Sequence, residues 1–142
     1  MATRNANAVW SGDLKYGKGR LQLGSGRYGD DYTFGSRFGD SEGTNPEELI
    51  GAAHAGCFSM ALAHELAQDG YDPQRVATSA AVRLEEDEGG FSITEISLET
   101  KAVVPGISPE DFRGKAEGAA ANCPVSKALT GVRITVDAKL ES

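Results

Sequence analysis

The stretch TNPEELIGAAHAGCFSM, Thr44–Met60, predicts a long helix at the centre of the fold. Asn45 suits the N-cap, Pro46 the first helical position and Glu48 the third, a combination typical of a helix start. Gly70 is typical of the residue that follows a helix end. Between these signals, about 24 residues at about 1.5 Å each give a helix of about 36 Å.

The predicted helix is apolar or small almost all the way round from Leu49 to Ala63. A helix without a polar face is normally buried. One small domain of 142 residues has few elements with which to cover such a helix on every side. We therefore expect a partner chain to cover part of it.

Short strands and shorter helices flank this segment. Three runs before it have strand character: Ala6–Trp10, Arg20–Leu23 and Tyr32–Phe34. Between and after them, 29–31 is predicted as a turn and 35–44 as a glycine-rich loop. The later elements are a hairpin over 76–102 with a β-bulge near 94–95, a helix that begins at Ser108, a short helix after Pro124 and a strand over 132–141. The sequence predicts one α+β domain over residues 1–142, with a mostly antiparallel sheet.

Charge and hydropathy exclude several classes of function. The chain has 14 basic and 21 acidic residues and a net charge of −7, so it lacks the basic surface that nucleic acids require. It shows no basic amphipathic stretch for a membrane surface, no apolar run of spanning length and no signal-peptide pattern. We expect a cytoplasmic protein that binds neither nucleic acid nor membrane.

The two cysteines are the first candidates for chemistry. In a reducing compartment, Cys57 and Cys123 are more often free, metal-bound or redox-active than permanently disulfide-bonded. Each lies on the apolar face of a predicted helix, so the two thiols can meet in the core although the sequence separates them widely. They can equally be inert, since free cysteines usually pack as small apolar side chains. As the N-cap of the short helix, Cys123 would have a lowered pKa.

Two histidines lie on the same predicted helix. His54 precedes Cys57 by three residues and so neighbours it on the helix surface, and His64 falls near the same face. A Cys–His pair can form a base-activated nucleophile, and two Cys with two His can bind zinc. The spacing matches no compact zinc motif, so we predict no metal site and expect structural hydrogen bonds for both histidines.

A buried thiol needs a neighbouring cation if it is to ionise at neutral pH. The predicted central helix contains no Lys or Arg, so the best candidate is Arg37 in the preceding loop, with Glu47 as the carboxylate that orients it. Glu47 and Cys57 are about 15 Å apart along a straight helix. Either Arg37 spans the gap, or the helix breaks near Gly51 or Gly56, or a second subunit completes the site. We favour a site shared at a dimer interface.

Two motifs resemble the OsmC/Ohr family of peroxidases. Thr44–Met60 resembles the central-helix motif of this family, and Asn122–Leu129, NCPVSKAL, resembles its second-cysteine motif. The order of elements is similar along essentially the whole chain. His54 and the pair Val125-Ser126 are more similar to the OsmC branch than to the Ohr branch.

The resemblance implies an OsmC-like intertwined homodimer, with mostly antiparallel sheets wrapped around long central helices. It also implies reduction of organic hydroperoxides, and of hydrogen peroxide as a further substrate, without any cofactor. Cys57 matches the peroxidatic cysteine, Cys123 the resolving one, Arg37 the activating arginine and Glu47 the carboxylate that positions it. Cys57 would form a sulfenic acid and then a disulfide with Cys123, which an external dithiol such as a lipoylated protein would reduce.

Two further expectations accompany this resemblance. The family assigns the attack on peroxide to Cys57, whereas helix capping alone would make Cys123 the more acidic thiol. Substrate binding is expected from four side chains, which would favour bulky or fatty hydroperoxides: Phe38, His54, Phe58 and Met60.

Two other functions remain open on the sequence alone. One is a non-catalytic stress protein whose Cys/His pocket holds a metal or a small hydrophobic ligand. The other is a structural stress protein with inert thiols. Zinc content tests the metal-binding form of the first alternative, and thiol reactivity tests the second.

Overall fold

The computed structural model describes residues 1–141 and divides into two compact units. Met1–Leu49 form the first unit, and the second begins at Ile50. Ser142, the last residue of the predicted domain, lies outside the described residues. That the whole chain is one domain stays a prediction.

The first unit is a small antiparallel sheet followed by one helical turn. Its elements are β1 (Ala6–Ser11), β2 (Lys18–Leu23), β3 (Gly29–Tyr32) and α1 (Phe34–Phe38). The strands are ordered β1-β2-β3, and both pairings are antiparallel. The first two strands lie where the sequence predicted them.

The end of the first unit differs from the sequence prediction. Gly29 pairs with Gln22 and Tyr32 with Gly19, so the predicted turn at 29–31 is part of a strand, and the strand predicted over Tyr32–Phe34 ends earlier. The predicted loop over 35–44 contains most of α1. Pairing between β2 and β3 decides the first difference, and the capping box of Thr33 and Ser36 decides the second.

The second unit contains most of the long helix and a second sheet. Its elements are α2 (Pro46–Gln68, which begins in the first unit), β4 (Arg75–Asp87), β5 (Gly90–Val103), α3 (Pro109–Asn122), α4 (Pro124–Ala128) and β6 (Arg133–Glu141). The sheet order is β4-β5-β6, with the first pair antiparallel and the second parallel. The prediction of an α+β fold with mostly antiparallel sheets is confirmed.

The predicted helix boundaries of α2 and α3 are confirmed. The amide of Glu48 donates to the Asn45 side chain over 2.8 Å, so Asn45 caps α2. Gly70 adopts a φ of +86°, a left-handed conformation that favours glycine after a helix end. The amide of Asp111 donates to the Ser108 hydroxyl over 3.1 Å and caps α3 in the same way.

The β-bulge predicted near residues 94–95 is also present. Arg83 pairs with Glu95, whereas its neighbour Leu84 pairs with Ile93, so Thr94 is the extra residue of the bulged strand. An extra residue reverses which side chains face the core on either side of it, which is why the hydrophobic pattern changes phase there.

One face of α2 lies in the core of the second unit. This face consists of residues at a spacing of three or four: Gly51, His54, Phe58, Leu62 and Leu66. They pack with side chains from β5 and α3, including Ile96, Leu98, Phe112 and Ala116. A Cβ at Gly51 would approach Val82 to 3.3 Å, so this glycine allows α2 to lie close to β4.

The opposite face of α2 is exposed in the single chain. It is formed mainly by small or apolar residues: Ala52, Ala53, Gly56, Met60 and His64. Met60 retains 77 % of its accessible surface. The single chain therefore leaves one face of α2 uncovered, as expected from the sequence for a domain of this size. That a partner chain covers this face stays a prediction.

Candidate active site

The two cysteines are in contact in the second unit. Cys57 lies in the middle of α2, and Cys123 lies at the junction between α3 and α4. Their Sγ atoms are 2.9 Å apart, and both are free thiols. Cys123 is fully buried, whereas Cys57 is partly accessible. The prediction that the two thiols meet in the core is confirmed.

The surroundings of the two sulfurs favour a thiolate at Cys123. Burial raises the pKa of Cys57, and the hydrogen bond with Cys123 raises it further. Burial also acts to raise the pKa of Cys123, but the hydrogen bonds with Cys57 and with the amide and hydroxyl of Ser126 outweigh it, so that pKa is lowered. Two negative charges at 2.9 Å repel strongly, so ionisation of one thiol opposes ionisation of the other.

A buried histidine and serine lie beside the cysteine pair. His54 Nε2 and Ser126 Oγ are 2.7 Å apart. His54 is fully buried and Ser126 is 7 % exposed. Burial lowers the pKa of His54, so the imidazole is neutral at physiological pH. The structural hydrogen bond predicted for this histidine is therefore present, and Ser126 is its partner.

Arg37 and Glu47 form an ion pair in the first unit. The guanidinium of Arg37 donates from Nε and Nη2 to Glu47 Oε1 over 3.0 and 2.7 Å. Glu47 is buried, and the side chain of Arg37 is 34 % exposed. This is the orienting contact that the sequence predicted for the two residues. The contact fixes the plane of the guanidinium, since two of its nitrogens are held by one carboxylate.

Local hydrogen bonds place Arg37 within reach of Glu47. Thr33 and Ser36 form a reciprocal capping box that starts α1, with distances of 2.8 and 3.1 Å. The Ser36 hydroxyl also donates to the carbonyl of Thr44 over 2.8 Å, and the Asn45 side chain donates to the carbonyl of Ser36 over 3.1 Å. These bonds join α1 to the start of α2, where Glu47 lies.

The continuity of α2 bears on one of the three ways of completing the site that the sequence left open, a break in the helix. The helix extends without interruption from Pro46 to Gln68. A break near Gly51 or Gly56, which would have shortened the path from Glu47 to Cys57, is therefore excluded.

The side chains expected to bind substrate lie in different surroundings. Phe38 lines a cavity of about 210 Å³ in the first unit. The other lining residues are Trp10, Leu14, Tyr32, Thr33, Phe34 and Arg37. By contrast, Phe58 is a fully buried core residue, His54 bonds to Ser126, and Met60 lies on the exposed face of α2.

Sequence reasoning assigned no role to Ser126. The signal was present, because Ser126 follows Cys123 by the same three residues that separate His54 from Cys57. Residues three apart lie on the same side of a helix, so two such pairs can make two adjacent contacts where the segments meet. The contact between α2 and α4 itself was not readable from the sequence.

Two features of the described residues bear on the other functions considered. Within residues 1–141, no three side chains of His, Cys, Asp or Glu are grouped as ligands for a metal ion. Over the same residues, no helix is both long enough and apolar enough to cross a membrane.

Known proteins match both the sequence and the fold. A family model described as OsmC-like protein matches residues 39–137, which include both cysteines and the Glu47 carboxylate. The chain belongs to the OsmC family. Among members of this family, Peroxiredoxin OsmC of Escherichia coli is 46 % identical over 140 residues, which cover 98 % of this chain and 97 % of that protein.

The related Ohr proteins match less closely. The organic hydroperoxide resistance protein of Xanthomonas axonopodis is 34 % identical over 91 residues, covering 63 % of this chain and 62 % of that protein. The crystal structure of the organic hydroperoxide resistance protein OhrB of Bacillus subtilis superposes with a TM-score of 0.69 at 26 % identity, covering 96 % of this chain and 98 % of that one. The predicted resemblance to the OsmC/Ohr family is confirmed.

Proposed function

We propose that this peroxidase reduces organic hydroperoxides with Cys57 and closes its cycle through a disulfide with Cys123. The observation that supports this most strongly is the 2.9 Å separation of the two sulfurs across α2 and the α3–α4 junction. A sulfenic acid formed at Cys57 has its resolving thiol already in contact. The relatives named for hydroperoxide resistance and as a peroxiredoxin support the same reaction.

The first step is a displacement at oxygen. The Cys57 thiolate attacks the distal oxygen of the hydroperoxide, an S–O bond forms and the O–O bond breaks. The alkoxide leaves and takes up a proton to become an alcohol, and Cys57 becomes a sulfenic acid. The sulfur loses two electrons, which the peroxide gains. Hydrogen peroxide would react in the same way, with water as the product.

Arg37 supplies the positive charge that this step requires. The contacts of Cys57 within the second unit raise its pKa, so the thiolate needs a cation from elsewhere. Arg37 is held by Glu47 with part of its guanidinium still exposed. A fixed guanidinium also stabilises the negative charge that develops on the peroxide oxygens. Its presence would reverse the order of ionisation of the two thiols in favour of Cys57.

The second step forms a disulfide between Cys57 and Cys123 that an external dithiol can reduce. The Cys123 thiolate attacks the sulfur of the Cys57 sulfenic acid, an S–S bond forms, and hydroxide leaves and is protonated to water. An external dithiol, such as that of a lipoylated protein, then attacks the disulfide and returns both cysteines to thiols by exchange.

The cavity beside Arg37 suits the organic part of a hydroperoxide. Its volume is about 210 Å³, and aromatic side chains form much of its wall: Trp10, Tyr32, Phe34 and Phe38. An apolar wall next to a guanidinium favours a substrate with an apolar body and a polar, charge-developing end. Bulky or fatty hydroperoxides have this character.

The exposed face of α2 is the surface on which we propose that two chains form a homodimer. Gly56 lies on this face, and a Cβ there would meet no atom within 4 Å in the single chain. Small residues such as Ala52, Ala53 and Gly56 allow two helices to approach closely. The area around Met60 would be covered at the same time.

Intact-mass analysis after one equivalent of cumene hydroperoxide tests the cycle. The wild-type protein should lose two hydrogens, as a disulfide requires. Cys123→Ser should gain one oxygen, and Cys57→Ser should remain unchanged. Loss of two hydrogens through a bond between chains, or no change in the wild type, would contradict the internal two-cysteine cycle.

A further inference from the structure

A buried polar pair accompanies the cysteine pair where α2 meets α4. His54 precedes Cys57 by three residues on α2, and Ser126 follows Cys123 by three residues in α4. The His54–Ser126 contact is 2.7 Å and the Cys57–Cys123 contact is 2.9 Å. The two helices are therefore joined by two adjacent polar contacts. The proposed peroxidase cycle uses the Cys57–Cys123 contact and gives no role to the His54–Ser126 contact.

Ser126 is also a neighbour of Cys123 along the chain. Cys123 is the N-cap of α4, and Ser126 is its third helical residue. Residues three apart at a helix start are neighbours on the helix surface, so the Ser126 side chain lies on the same side of α4 as Cys123. In agreement, the hydroxyl and the amide of Ser126 are among the groups that favour the Cys123 thiolate. Ser126 is thus hydrogen-bonded to His54 and is also near enough to Cys123 to favour its thiolate.

The burial of His54 indicates which nitrogen carries the proton. Within residues 1–141, His54 Nδ1 is buried and has no hydrogen-bond partner. A buried N–H without an acceptor leaves an unmet donor, whereas an unprotonated ring nitrogen leaves only a lone pair. The proton therefore belongs on Nε2, which donates to Ser126 Oγ at 2.7 Å. The hydroxyl proton of Ser126 is then free to be donated to the Cys123 sulfur.

We propose that His54 and Ser126 are positioning residues for the resolving step, in which they orient a hydrogen bond onto the Cys123 sulfur and hold it toward Cys57. This assignment rests on the function proposed above. It gives His54 a role in disulfide formation, whereas the sequence led us to expect a role in substrate binding. No proton is lost from His54 in this scheme, because its neutral form is the donor.

In the resolving step, Ser126 donates a hydrogen bond to Cys123 while Cys123 attacks the Cys57 sulfenic acid. Cys123 first releases its thiol proton to solvent, and the resulting thiolate accepts the bond from Ser126. The thiolate then attacks the Cys57 sulfenic sulfur, the S–S bond forms and the S–O bond breaks. The departing hydroxide takes up one proton from solvent, so the proton balance closes with water as the product.

The test measures the two steps separately in single-turnover experiments. Reduced protein is mixed with cumene hydroperoxide, the first step is followed by peroxide consumption, and the second by the loss of dimedone-reactive sulfenic acid and by intact mass. Ser126→Ala and His54→Leu should slow the second step by about tenfold or more relative to the first, the size expected for one hydrogen bond to a charged group. His54→Gln should restore most of the rate, because its amide can donate from nearly the same place.

A control variant separates this role from general loss of packing. Ser59 lies on α2 as well, and its hydroxyl donates to Thr78 Oγ1 over 2.7 Å, away from the cysteine pair. Ser59→Ala removes a comparable hydrogen bond and should leave the second step within about twofold of the wild type. If Ser59→Ala slows the second step as much as Ser126→Ala does, or if His54→Gln is as slow as His54→Leu, the proposal is wrong.

The failure of this proposal is distinguishable from the failure of the peroxidase cycle. A wild-type protein that forms no sulfenic acid and no disulfide would overturn the proposed function. A wild type that completes both steps, with Ser126→Ala and His54→Leu resolving at the wild-type rate, would overturn the positioning role alone.

Discussion

The sulfur atoms of Cys57 and Cys123 lie 2.9 Å apart, although 66 positions separate the two residues in the chain. This contact joins the middle of α2 to the junction of α3 and α4. The nearby groups lower the pKa of Cys123, so the proposed resolving cysteine needs no cation from outside the second unit to favour its thiolate. Cys57, the proposed peroxidatic cysteine, lacks such stabilisation, since burial and its contact with Cys123 raise its pKa. The proposed first step therefore depends on the positive charge of Arg37.

Replacing the carboxylate that holds Arg37 should slow the first step. Glu47→Gln removes the charged partner of two guanidinium nitrogens, and we expect the second-order rate with cumene hydroperoxide to fall about tenfold, equivalent to about 1.4 kcal/mol. Stopped-flow consumption of the hydroperoxide measures this rate. The matched control is Glu48→Gln, which removes the same charge from the same helical turn, where Glu48 bonds to Thr44. Equal rates in the two variants would contradict the role of Glu47.

A larger residue at Gly56 should separate the proposed homodimer. In the single chain a Cβ at Gly56 meets nothing within 4 Å, so Gly56→Leu should fold, whereas a second α2 packed on this face would clash with the new side chain. Gly114, on α3, also has open space around it, and Gly114→Leu is the control. Sedimentation analysis should find monomers for Gly56→Leu and dimers for Gly114→Leu and the wild type. Dimers in all three would place the interface elsewhere.

Substrate preference should depend on the aromatic cavity. Leu14 lines it and is 55 % exposed, so Leu14→Ala removes apolar contact without opening the core. We expect the ratio of the rates with cumene hydroperoxide and hydrogen peroxide to fall about fivefold, the effect of roughly 1 kcal/mol of lost contact. Leu23→Ala, at a leucine that is 40 % exposed and not among the lining residues, should leave the ratio unchanged. A ratio of rates unaffected by Leu14→Ala would mean that this cavity does not bind the organic part of the substrate.

The stability of the reduced protein should decrease in mild acid because of His54. Burial lowers the pKa of His54 below its ordinary value of 6.5. Between the lowered pKa and 6.5, the unfolded chain binds more protons at this residue than the folded chain does. The free energy of unfolding therefore falls as the pH falls through this range, by at most about 1.4 kcal/mol per pH unit.

Urea unfolding at about pH 7.5 and about pH 5.5 measures this contribution. His54→Gln should lose less stability between the two pH values than the wild type does. The control is Ser59→Ala, which removes a hydrogen bond of α2 but keeps both histidines, and it should retain the wild-type dependence. The same dependence in all three proteins would contradict the assignment to His54.

The sequence was most informative about features that depend only on residues close together in the chain. The caps at Asn45 and Ser108 and the bulge at Thr94 each depend on a few neighbouring residues, and all three are present. Helix α1 was missed because its capping box uses Ser36 as the third helical residue, where Glu or Gln is the usual signal, within a glycine-rich stretch.

The site was predictable only in part. The Cys57–Cys123 contact was expected because both thiols lie on apolar helix faces, and the Arg37–Glu47 pair because a buried thiol needs an oriented cation. The partnership of His54 with Ser126 was not foreseen, since 72 positions separate the two residues and it depends on how α4 crosses α2. Which groups around a buried thiol outweigh its burial also requires the packed structure.

The most direct test of the central claim is rapid mixing of the fully reduced protein with cumene hydroperoxide, comparing the wild type, Cys57→Ser and Cys123→Ser. The proposed cycle predicts fast consumption in the wild type, none above background in Cys57→Ser, and a single fast turnover that stops at sulfenic acid in Cys123→Ser. Slow and similar oxidation of all three proteins would contradict it, because the thiols would then be structural and the peroxidase cycle at Cys57 would be wrong.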